Sequence, residues 1–103
     1  MYKIIFYVPE DHLEQVKMAL FAAGAGKLGE YDCCAWQVKG EGQFKPLTGS
    51  HPFVGTPHQL ETINEYKVEM VCTGECIHAA IAAMKKAHPY EMPAYQVIRM
   101  EDF

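Results

Sequence analysis

Asn64-Glu65-Tyr66-Lys67-Val68-Glu69-Met70-Val71-Cys72 decides the fold, because charged and apolar side chains alternate over the six positions from Glu65 to Met70. Successive side chains of a strand point to opposite faces, so this pattern predicts a strand with Tyr66, Val68 and Met70 covered and Glu65, Lys67 and Glu69 wet. Thr73 and Gly74 then lead into Glu75 to Ala87, where Ile77, Ala80, Ile81 and Met84 recur at helical spacing and Lys85 and Lys86 suit the negative helix end. Ala94 to Met100 reads as a strand. This half of the chain is therefore strand, helix, strand.

The first half has the same plan. Tyr2 to Val8 is a β-branched and aromatic run that ends at Pro9, and Glu10 and Asp11 supply first-turn carboxylates to a helix carried by Leu13, Val16, Leu20 and Phe21 up to Gly24. Tyr31 to Val38 reads as the second strand, followed by a tight turn at Gly40-Glu41-Gly42, a short extension from Gln43 to Leu47, and an irregular excursion from Thr48 to Thr62. The order predicts an α+β, ferredoxin-like βαββαβ sandwich, an antiparallel sheet with two helices on one face, as a single domain over residues 1–103. The uncovered face must be either polar or buried by another subunit. Apolar residues left over in Tyr31 to Val38 favour self-association.

Bulk properties narrow the function. With 9 Lys and Arg spread among 13 Asp and Glu and a formal charge of -4, the chain lacks a nucleic-acid footprint. No apolar run is long enough to span a bilayer, and the N-terminal residues read as a strand, so the expectation is a soluble cytoplasmic protein without a membrane partner. Four cysteines, Cys33, Cys34, Cys72 and Cys76, are too few and too oddly spaced for a disulfide scaffold and read as reduced thiols.

Two His-Pro-aromatic words stand out, His51-Pro52-Phe53 and His88-Pro89-Tyr90, the second continuing through Glu91-Met92-Pro93-Ala94-Tyr95. A residue before proline is pushed out of the helical region, so both imidazoles are expected off regular structure, where binding residues concentrate. His51, His88, Glu91 and Cys34 carry the donor types of a divalent or soft transition-metal site, although no pair has a diagnostic spacing. No cofactor follows beyond that divalent ion. Gly24-Ala25-Gly26-Lys27-Leu28-Gly29 spells GxGxxG but follows a helix and opens a strand, the reverse of a dinucleotide site; its glycines read as a helix stop and a turn, with an anion-holding nest beside Lys27 as a weaker reading. Ser50 is the only serine, and adjoining His51 on extended backbone does not make a nucleophile and base pair. Cys34 with a distant His lacks any local signature, so no catalytic residue is assigned.

Taken together, Gly24 to Asp32, Gly40-x-Gly42-x-Phe44, Pro52-Phe53-x-Gly55, Glu65 to Glu69 and His88-Pro89-Tyr90-Glu91-x-Pro93-Ala94-Tyr95 resemble, in order and spacing, the inserted domain of the NGG-interacting-factor-three (Nif-three-like, YqfO-type) family, here as a stand-alone protein. That insert is similar to the CutA and PII-like trimeric ferredoxin folds, and the His88 word also looks like the corresponding CutA segment. CutA-like proteins are associated with divalent-ion tolerance and PII-like proteins with small-ligand sensing, so the resemblance implies a sensor or assembly module, trimeric by analogy or dimeric. Residues 1–103 match the insert and not the larger flanking domain that holds the family's dinuclear metal site, so no metal hydrolase activity is expected to carry over. Ala35 and Trp36 depart from the family's usual small polar residue and phenylalanine.

The leading expectation is a non-catalytic, self-associating, regulatory module that binds a small ligand or a protein partner. Its surface would be made by His51, Pro52, Phe53, His88, Tyr90 and Glu91 beside a turn shaped by Gly26 and Gly29. The alternative is a metal-binding or tolerance protein of CutA type using His51, His88, Glu91 and Cys34. A small hydrolase is a distant third.

Overall fold

A computed structural model describes residues 1–103. Strand β1 (Tyr2–Pro9) passes through a 3-10 turn at Glu10–His12 into α1 (Leu13–Ala22); β2 (Trp36–Phe44) and β3 (Glu61–Cys72) form a long hairpin; α2 (Ile77–Ala87) and β4 (Tyr95–Arg99) complete the chain. The strands lie in the order β2-β3-β1-β4, every neighbouring pair antiparallel. The α+β, βαββαβ expectation is met.

The register explains the core. Ile4 faces Met70 and Phe6 faces Val68 across the β1–β3 ladder, and all four are buried, as are Val8 and Cys72 on the same side. Leu13, Val16 and Leu20 of α1 and Ile77, Ala80 and Met84 of α2 close over them in one apolar cluster. The alternation read in β3 thus corresponds to the helix-covered face. The other face carries Lys3, whose Nζ lies 2.6 Å from Glu69, together with the exposed Trp36, Val38 and Ile98. No helix is long and apolar enough to cross a membrane.

Three boundaries in β2 and β3 differ from the sequence reading. The second strand begins at Trp36 rather than Tyr31, because Cys33 adopts a φ of 56° and Leu28 and Tyr31 close a small bridged turn instead. It also runs straight through Gly40-Glu41-Gly42, expected as a turn, to Phe44. Gly42 serves there in another way: a Cβ would displace the Glu65 carboxylate, which lies over the bare backbone. Glu61 and Thr62, assigned to the irregular excursion, belong to β3, which starts three residues earlier than expected.

The glycine run ends α1 as expected. Gly24 N–H donates to Phe21 C=O (3.0 Å) and Ala25 N–H to Leu20 C=O (3.0 Å), the paired bonds of a Schellman stop, with Gly24 at φ 104°.

A candidate ligand cavity between the two His-Pro loops

Helix α2 stops at His88 because Pro89 forces that residue extended (φ -71°, ψ 137°). The chain then turns along the sheet edge. Since β4 begins at Tyr95, opposite Phe6, the end of β1 runs beyond its partner and the Tyr7 carbonyl is left outside the β1–β4 ladder. A buried carbonyl needs a donor. His88 Nε2 supplies it at 2.7 Å, while His88 Nδ1 accepts from the Tyr90 N–H at 3.1 Å. With both nitrogens engaged by main chain, the ring is held as the neutral Nε2–H tautomer, and burial pushes its pKa below the ordinary 6.5.

That clamp aims Tyr90 at the sheet. Its ring sits 4.9 Å from His88, and its hydroxyl donates to Glu65 Oε2 at 3.0 Å. Burial first, then the Glu65 charge and hydrogen bond, push the phenol well above its usual pKa, so Tyr90 stays a neutral donor. Glu91, next in the chain, accepts the His51 main-chain N–H on both carboxylate oxygens (3.1 and 3.0 Å), which ties the two His-Pro loops together over 40 residues. Phe53 completes the junction, 6.2 Å from Tyr90 and edge-on to His12 at 5.3 Å.

Between these loops and the open face of the sheet lies a cavity of about 370 Å³. Tyr7, Phe44, Phe53 and Tyr90 give it aromatic walls, Glu65 and Glu91 give it carboxylates, and Pro52 and Met92 complete much of the remainder.

Of the expected site residues, Pro52, Phe53, Tyr90 and Glu91 line this cavity, and His51 and His88 hold its rim through main chain and imidazole. Gly26, Gly29 and Cys34 are not brought to it. Gly26 N–H donates to Val71 C=O and its carbonyl accepts from Cys34 N–H, both at 2.8 Å, which fixes that loop beside Lys3. Glu65 stands opposite Pro9, six positions further along β1, roughly 20 Å away at about 3.3 Å per residue. The physical reason is topological: each helix runs back along its strand, and β1 and β3 are antiparallel, so α1 and α2 exit at opposite ends of the sheet. Within one chain Cys34 is thus not brought together with His51, His88 and Glu91, the other members of the expected metal set. No three His, Cys, Asp or Glu side chains form a cluster able to hold a metal ion.

Sequence reasoning missed Tyr7, Phe44, Glu65 and His12, whose Nδ1 is buried without a partner under Phe53. Glu65 was legible only as one of the wet residues of β3. The adjoining Gly42 was the signal, since a glycine inside a strand marks a close approach to the backbone.

No family model matches the chain. Proteins named GTP cyclohydrolase 1 type 2 homolog are 46% identical over 99 residues in Bacillus subtilis and 44% over 97 residues in Halalkalibacterium halodurans. These alignments cover 96% and 94% of this chain and 26% of each relative, so the chain spans about a quarter of their length. A solved Bacillus cereus protein related to NIF3 superposes with a TM-score of 0.84 at 36% identity, over 98% of this chain and 26% of that one. The periplasmic divalent cation tolerance protein CutA from Archaeoglobus fulgidus superposes with a TM-score of 0.70 at 16% identity, covering 100% of this chain and 87% of that one, a likeness of fold alone. The chain is thus the counterpart of a CutA/PII-like domain carried within the NIF3-related proteins.

Proposed function

We propose that this domain is a non-catalytic, self-associating binding module whose small ligand occupies the cavity between the His51-Pro52-Phe53 and His88-Pro89-Tyr90 loops. One observation carries the reading: two loops distant in sequence are cross-tied by the Glu91 carboxylate around a space of about 370 Å³, within the range of small-molecule sites. The walls combine aromatic surface with a few fixed polar groups, Tyr90 hydroxyl and the two carboxylates, which is the composition that gives a pocket both affinity and orientation. Nothing in it pairs a nucleophile with a base; the Ser50 hydroxyl donates to the Leu47 carbonyl at 2.7 Å. The divalent-ion reading drawn from CutA has no comparable cluster of donors behind it.

Ligand-observed NMR of a fragment library tests this directly. Binders should compete for one site and lose about tenfold or more in affinity in Phe53→Ala, a change at a half-exposed ring that leaves the core intact. A library without binders, or binders indifferent to Phe53→Ala, would refute the cavity as a site.

A further inference from the structure

We infer that the cavity selects a small N-alkylated organic cation, a quaternary or tertiary ammonium, rather than an anion or a neutral molecule. This rests on the reading of the cavity as a ligand site and adds the ligand's charge class. No Lys, Arg or His lines the cavity, whereas Glu65 and Glu91 do. An anion placed there would face two carboxylates and no counter-charge. The walls are aromatic: Tyr90 lies 6.4 Å from Phe44 and 6.2 Å from Phe53, three rings set around one space. Ring faces are electronegative and attract a cation, most strongly where water is displaced.

The hydrogen bonds already made decide which kind of cation fits. Both oxygens of Glu91 accept the His51 N–H, and Glu65 Oε2 accepts the Tyr90 hydroxyl. A guanidinium brings five N–H donors in a fixed fork and is met best by a carboxylate with both oxygens free, whereas of these four oxygens only Glu65 Oε1 makes no hydrogen bond. An alkylated ammonium needs charge and apolar ring surface but few acceptors. Lys67 lines an adjoining groove that shares Tyr7, Gly42 and Glu65 with the cavity, and is not among the cavity's own lining residues.

Choline and its uncharged carbon isostere, dimethylbutanol, form the probe pair, titrated by NMR into the intact chain. Choline should bind saturably, shift Phe53, Tyr90 and Met92, and bind about tenfold tighter than the isostere. Glu65→Gln, which keeps an oxygen for the Tyr90 hydroxyl, should weaken choline about tenfold and leave the isostere unchanged; Phe53→Leu, apolar but without a ring, should weaken choline several-fold. Equal binding of the two probes would overturn the charge assignment while leaving a neutral-ligand cavity standing. Binding of neither would overturn both readings. Retention on phosphatidylcholine vesicles without binding of free choline would also overturn the proposal, since it assigns a dissolved small molecule.

Discussion

His88 shows how a residue that looks like a ligand works as a joint. Its neutral ring bridges the Tyr7 carbonyl and the Tyr90 N–H, and a proton added at Nδ1 would face the Tyr90 N–H donor in place of an acceptance. Because burial lowers the folded-state pKa below 6.5, the unfolded chain takes up a proton first as pH falls. Stability from this group is therefore complete above pH 6.5, declines as pH drops below it, and levels off beneath the lowered folded-state value. Thermal melts from pH 7.5 to 4.5 should show a fall in Tm that is larger in the native protein than in His88→Gln, the difference isolating this ring from carboxylate titrations such as that of Glu69. Parallel curves would show that His88 is not the titrating group. At neutral pH, His88→Ala should cost about 1–3 kcal/mol by leaving a part-buried carbonyl and a part-buried N–H without their partner. The proline after His88 made the extended backbone legible in the sequence. The partner was not legible, since the Tyr7 carbonyl lies 81 residues away and is free only because β4 starts one pair short of it.

At the scale of elements, strong periodicity was readable and exceptions to it were not. The helices and β3 announce themselves through apolar spacing that matches the buried faces observed. Strand β2 was misplaced because Gly40 and Gly42 carry turn chemistry locally, while the actual demand on Gly42 comes from the Glu65 carboxylate across the ladder. Gly24 is the contrasting case, where local and tertiary demands agree. Its φ of 104° disfavours any side chain, and a Cβ would stand 2.6 Å from Cys76 Sγ, between the end of α1 and the start of α2. Gly24→Ala should accordingly destabilise by about 1–3 kcal/mol from backbone strain alone, and by more if Cys76 must shift. Urea unfolding should show a lower midpoint with an unchanged slope, and Gly29→Ala, at φ 57° with open space around it, a smaller loss. Equal losses at the two glycines would mean that the Cys76 contact contributes nothing.

For the whole molecule, the order βαββαβ places two helices on one sheet face and leaves the other without a covering layer, a consequence visible before any coordinates. The same topology, followed one step further, separates the exits of α1 and α2, so the glycine loop and the His88 loop could never have met within one chain. What the uncovered face does depends on its composition. Trp36, Val38 and Ile98 are 57%, 43% and 49% exposed, an unusual display for side chains of this size on a sheet. One pair of charges among them cancels locally: Lys3 donates to Glu69, and that hydrogen bond holds the Glu69 pKa below its ordinary value, so this pair enters an interface already matched, while Lys67 stands opposite Val38 at its edge. Covering the apolar residues around the Lys3–Glu69 pair with a second copy loses little there, since neither of these two ions is left without its counter-charge. We therefore expect this face to mediate self-association. Sedimentation velocity at micromolar concentration should give a dimer or trimer for the native chain and a monomer for Trp36→Ser, whose helix-covered core is untouched and whose circular dichroism should be unchanged. A native chain that sediments as a monomer across that range would show that the sheet face is stable bare, and the role of Trp36 would have to be sought elsewhere.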